Sequence, residues 1–101
     1  MPVRQKPSPK AGRPRGARSF DETVAKMLGA TTRARRLDIE MSQEQLADAS
    51  GLERSYVGRL ERGGSQPTLL ALLKLAMGLQ CEVADLVGPA EKAFRRRRGS
   101  A

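Results

Sequence analysis

Arg54, Ser55 and Arg59 are the residues whose types and spacing could read another molecule. A guanidinium is a planar fork of donors that fits guanine O6 and N7, worth about 1–3 kcal/mol of discrimination per base pair. A serine hydroxyl beside it can donate or accept. Such groups discriminate only when a rigid element holds them and aims them away from the core. The stretch that carries them, SQEQLADASGLERSYVGRLERG from Ser42 to Gly63, meets that need. Ser42 followed by Gln45 is a capping box for a first short helix. Leu46 and Ala47 form its buried face, Gly51 supplies a tight turn, and Val57 and Leu60 answer from a second helix. Arg54, Ser55 and Arg59 then point outward, an arrangement that fits a nucleic-acid major groove.

The chain of 101 residues has room for one small domain. It has no His, one Cys and no Trp, which removes the commonest general base, most zinc arrangements and any disulfide framework within one chain. A binding module is therefore expected, with no catalytic residues, no metal and no cofactor. Nothing reads as a secretory signal, and no run approaches the roughly 20 apolar residues of a membrane span, so a cytoplasmic protein without membrane contact is expected. Cys81 fits a reducing compartment as a buried structural thiol.

The formal net charge is +8, and its placement is uneven. Residues 1–20 carry six cations and no acid, and residues 91–101 carry five cations against Glu91. Residues 21–90 hold eight cations and ten acids, a net −2. Attraction to polyanions is then a property of the ends plus a local patch, not of the whole folded surface.

Residues 1–19, rich in Pro, Gly and cations, read as a disordered basic arm. Within it Gly12-Arg13-Pro14-Arg15-Gly16 resembles the core of an AT-hook, in which Arg13 and Arg15 would enter a narrow minor groove. The other reading is a solvated basic tail. A folded domain is expected over 20–88, with the two-helix motif at 42–63, and a basic tail over 89–101. Asp21 and Glu22 begin a first helix running to about Asp38, with Val24, Met27, Leu28 and Ile39 as a partial apolar face. Arg33 and Arg36 at its cationic end can reach phosphates; alternatively Arg36 pairs with an acid of the domain.

Gly63 to Pro67 is a loop by composition, and Thr68 caps a fourth helix. That helix is apolar nearly all round. Leu69, Leu72, Ala76 and Leu79 form the stripe expected to face the core. Leu70, Leu73 and Met77 lie on an adjoining face that a small domain struggles to cover, so they are candidates for a dimer contact unless a fifth helix covers them. The fifth helix is expected to be short, starting at Glu82, carrying Val83, Leu86 and Val87, and closed by Gly88-Pro89.

Residues 28 to 87 resemble the lambda-repressor and Cro type of helix-turn-helix domain, the Xre family. The matching residues include Leu28-Gly29, Arg33, Arg36, Met41-Ser42-Gln43, Leu46-Ala47, Gly51-Leu52, Ser55-Tyr56-Val57, Leu60-Glu61-Arg62-Gly63, Pro67-Thr68, Leu75-Ala76, Leu79 and Leu86. The resemblance implies an all-α, compact five-helix domain with disordered basic tails. It implies that Gln43 binds a backbone phosphate and that Arg54, Ser55 and Arg59 read bases. Tyr56 stands where family members touch phosphate or a thymine methyl, with packing against the first helix as the alternative. Gly64, Ser65 and Gln66 fill loop slots where the family often has a basic residue and asparagine, so phosphate binding there falls to backbone amides at the N-terminus of the Thr68 helix. Glu53 occupies a capping slot usually held by Ser or Thr and sits close to phosphates, a cost the basic tails offset.

The function implied is a transcription regulator binding double-stranded DNA at a palindromic operator as a homodimer, in a bacterial or phage-derived, nucleoid-associated setting. A second reading of another class is an antitoxin that folds a tail on a partner protein and represses its own operon; the N-terminal arm has almost no apolar anchors for that. A third, a nucleic-acid compacting protein, draws only on the charged ends.

Overall fold

The computed structural model describes residues 20–99, and it is all-helical. The chain order is α1 (Glu22–Asp38), α2 (Gln43–Ser50), α3 (Arg54–Glu61), α4 (Leu69–Leu79) and α5 (Val83–Gly99). The basic arm over 1–19, with Arg13 and Arg15, lies outside the described residues. No helix among the described residues is long and apolar enough to cross a membrane.

Helix starts follow side-chain caps, because the first turn leaves backbone N–H groups without intrahelical partners. The Asp21 carboxylate accepts from the Val24 N–H at 3.0 Å, and Thr68 Oγ1 accepts from Ala71 N–H at 3.1 Å. Ser42 and Gln45 complete the capping box in both directions, at 3.0 and 2.8 Å. Gly51 ends α2 with φ 71°, a left-handed conformation that costs a glycine nothing, and sends the chain into α3. Glu53 occupies the N-cap of α3 without a side-chain cap bond.

The core is Leu28, Leu46, Ala47, Val57, Leu60, Leu75, Ala76, Leu79 and Leu86, with Met41, Leu52, Tyr56, Leu72, Cys81, Val83 and Val87 packed around it. Burial pushes the Cys81 thiol up, as expected of a structural cysteine. Helix α1 buries a stripe of small and polar residues, Ala25, Gly29, Thr32 and Arg36, and meets α3 at Gly29 and Arg36. Gly29 lies at the crossing: a Cβ there would be 2.4 Å from the Leu60 carbonyl oxygen. Ile39, expected on the apolar face of α1, is instead its exposed C-cap residue.

Two helix readings need correction. Leu69 does not face the core and is 67% exposed; α4 packs on α2 through Ala71, Leu75 and Gly78, which rotates its first residue into solvent. Helix α5 does not stop at Gly88-Pro89 but continues to Gly99 with Pro89 inside it. Proline removes one backbone donor and costs a helix interior about 3 kcal/mol. Here the continuation lies along α1, burying Ala90 and Ala93 and half-covering Phe94, an apolar gain that opposes the local cost.

Candidate nucleic-acid interface

The outward side of α3 carries the reading residues. Arg54, Ser55 and Arg59 are all exposed, while Val57, Gly58, Leu60 and Glu61 of the same helix are buried. Helical periodicity makes this separation, since residues three or four apart share a face. The Arg59 guanidinium lies 5.3 Å from the centre of the half-buried Tyr56 ring, a cation–π distance. Its stem runs against Gly64, where a Cβ would come within 2.9 Å of Arg59 Cγ. Tyr56 therefore both packs and holds Arg59, and the two-glycine loop leaves room for that pose.

Ser55, Tyr56 and Arg59 line an open groove together with Glu53, Thr68, Leu70 and Lys74. Thr68 Oγ1 accepts from the Ala71 N–H as the cap of α4, and its O–H can still donate into this groove beside the backbone amides of the helix start. Lys74 was not among the residues singled out from the sequence. Its signal was there to read: it is the one charged residue in the apolar helix Leu69–Leu79.

Gln43 is half-buried at the start of α2. Its Nε2 donates to Glu61 Oε1 at 3.0 Å, which orients the amide and leaves one N–H for another acceptor. Glu61 is itself fixed by Arg36, whose Nε and Nη2 donate to the two carboxylate oxygens at 2.6 and 2.8 Å. Arg36 Nη1 donates to the Met41 carbonyl at 2.8 Å. Burial pushes the Glu61 carboxyl up, but the hydrogen bonds from Arg36 and Gln43 and the charges of Arg36 and Arg33 outweigh it and hold it below the ordinary carboxylate value. The Glu61 hydrogen bond raises the Arg36 pKa against the cost of burial.

Arg36 is therefore not a surface phosphate ligand. Its guanidinium is buried and spent on Glu61 and Met41, which is the alternative the sequence left open. Arg33, one turn earlier, is exposed and close enough for its charge to act on Glu61, so it stands near Gln43 at the edge of the same surface. Across α4, Leu70, Leu73 and Met77 are 60%, 49% and 66% exposed, and with Leu69 they form an apolar face that α5 does not cover.

A two-helix unit with a left-handed Gly51 turn, a capped α2 and an outward polar α3 defines the helix-turn-helix class, and the chain belongs to that family: residues 33–86 match the family described as Helix-turn-helix, of Cro/C1-like type. Among its relatives, the restriction-modification controller protein C.AhdI from Aeromonas hydrophila superposes with a TM-score of 0.60 at 44% identity, covering 61% of this chain and 94% of that one. The clp gene regulator ClgR from C. glutamicum gives 0.64 at 30% identity, covering 70% and 92%. Control protein C.SmaI of Serratia marcescens is 39% identical over 64 residues, 63% of this chain and 76% of its own. The HTH-type transcriptional regulator SutR of Escherichia coli is 32% identical over 72 residues; these are 71% of this chain, and the chain spans only 40% of that regulator.

Proposed function

We propose that this protein is a transcription regulator that binds a palindromic DNA operator as a homodimer in the bacterial cytoplasm. The observation that carries it is α3: its exposed side presents Arg54, Ser55 and Arg59 while its other side is locked into the core. Gln43 and Arg33 set register on phosphates, the start of α4 adds backbone amides, and Lys74 extends the same surface. Relatives named as transcriptional regulators and as restriction-modification controllers support the reading. Selection of bound sequences from random duplex DNA is the test. A two-fold symmetric motif with half-sites about 34 Å apart supports it; a featureless pool overturns it.

The stack of Arg59 on Tyr56 gives a sharper expectation. Tyr56→Leu frees Arg59 and should weaken discrimination at the base pair it reads by about 3–5-fold, the worth of an exposed cation–π contact. Tyr56→Phe should keep it. Competition with single-base-pair operator variants measures both, and equal behaviour of the two variants would remove Tyr56 from specificity.

Dimerisation is assigned to the exposed α4 face. Leu73→Lys places a charge among Leu69, Leu70 and Met77 and should give a monomer in sedimentation, with operator affinity falling because the second half-site is lost. An unchanged sedimentation profile would count against this interface.

A further inference from the structure

The most basic stretch of the described residues is the end of α5, and the fold sets it against the start of α1. Helix α5 returns along α1, and Arg97 pairs with Asp21, the residue that caps α1. The Asp21 backbone N–H also donates to Gln66 Oε1 at 3.1 Å, tying this point to the loop between α3 and α4. Two residues back in that loop, the Gly64 N–H donates to the Arg59 carbonyl at 2.9 Å. A short run of contacts therefore joins the base-reading arginine to the arginine-rich end of α5.

Arg95 to Arg98 are consecutive, so at 3.6 residues per turn Arg98, Arg95 and Arg96 fan over an arc of about 160° opposite Arg97. Arg97 turns onto α1. Arg95 pairs with Glu91 at 3.0 Å in solvent, and the Arg98 guanidinium lies 5.9 Å from the Phe94 ring. Solvent-exposed ion pairs of this kind are weak and exchange readily for a phosphate, which suits the guanidinium fork well. A membrane-surface helix would need a broad apolar side opposite its charges; of the large hydrophobics on this end, Phe94 alone is exposed among the described residues.

We propose that Arg95, Arg96 and Arg98 form a phosphate-binding site for duplex DNA just outside the base pairs read by α3. The site rests on the reading of α3 as the DNA-facing helix. It lengthens the footprint beyond the reading helix and adds affinity without sequence information.

The test compares wild type with the triple variant Arg95→Gln, Arg96→Gln, Arg98→Gln, which keeps the Arg97–Asp21 tie. Each is titrated at several salt concentrations on a duplex trimmed to the selected motif and on one extended by roughly a helical turn, about 10 base pairs, on each side. Each phosphate contact contributes about 0.9 to the slope of log K against log salt. On the extended duplex the wild-type slope should exceed the variant's by about 2.7 per protomer. Wild type should then lose about 40-fold more affinity per protomer between 50 and 200 mM salt. On the trimmed duplex the two should agree. The corresponding triple Lys variant should restore the slope, and unchanged melting of all variants excludes a folding effect. Equal slopes on the extended duplex overturn the proposal, as does equal impairment on both duplexes. Loss of binding to phosphatidylglycerol vesicles with DNA slopes unchanged would assign the arginines to a membrane instead, which also overturns it. If selection yields no motif, an extended duplex of arbitrary sequence still reads the slope. A difference there would support the arginine site, and the missing motif would then fault only the reading of bases by α3, not its place against DNA.

Discussion

Glu61→Ala is expected to lower stability by about 3–5 kcal/mol, the cost of leaving one partner of a buried ion pair without the other. The Arg36 guanidinium would keep only the Met41 carbonyl, and the Gln43 amide would lose the acceptor that orients it. Domains of this size have about 5–15 kcal/mol in total, so the variant would sit near its unfolding threshold. Urea denaturation at neutral pH measures the loss; a change below about 1 kcal/mol would mean the pair is solvated and unimportant. Replacing both partners, as Arg36→Met with Glu61→Leu, should cost far less, because no buried charge is left behind.

The same pair fixes an acid limit. Glu61 has a folded pKa below its ordinary value of 4.5, so its contribution is fully present above that value and is lost as pH falls through the folded one. Arg36 stays protonated throughout. Wild-type stability should therefore decline below about pH 4.5 more steeply than that of the Glu61→Ala variant, which lacks this titration.

Gly29→Ala is the second large expectation, and its sign has to be decided between two effects. Alanine favours a helix interior over glycine by about 1 kcal/mol. The new Cβ, however, would lie 2.4 Å from the Leu60 oxygen and 2.6 Å from the Glu61 oxygen, both backbone atoms that cannot rotate away. Helices α1 and α3 would have to separate at the crossing that Arg36 and Glu61 span. Overpacking costs about 1–3 kcal/mol, and the coupling to the ion pair puts this case at the upper end. The net loss should appear as a fall in melting temperature of about 4–8 °C per kcal/mol.

What the sequence made legible is what depends on neighbours in the chain. The Ser42 and Thr68 caps, the Gly51 turn and the Val57 and Leu60 contacts are short-range patterns, and each is where it was expected. What it hid depends on distant partners. Gly88-Pro89 reads locally as a stop; only the groove along α1, filled by Ala90 and Ala93, makes the helix worth continuing. Arg36 stays open in the sequence between a phosphate contact and a pairing with an acid, because hydropathy cannot tell a buried arginine from an exposed one and the partner that buries it lies 25 residues away. The inner stripe of α1, Ala25-Gly29-Thr32-Arg36, has the spacing of a packed face without its hydrophobicity, so an apolar count passes over it. Leu69 was misplaced because a helix apolar all round gives periodicity nothing to choose between.

Helix α3 divides its labour by side: apart from Tyr56, which packs on the core and also holds Arg59, the residues that hold it in place and those that would meet DNA share no position. Natural variation at 54, 55 and 59 can therefore proceed almost free of selection for folding, since surface changes of this kind stay within about 0.5 kcal/mol. Descendants of one scaffold can diverge in the addresses they recognise while inheriting the same interior.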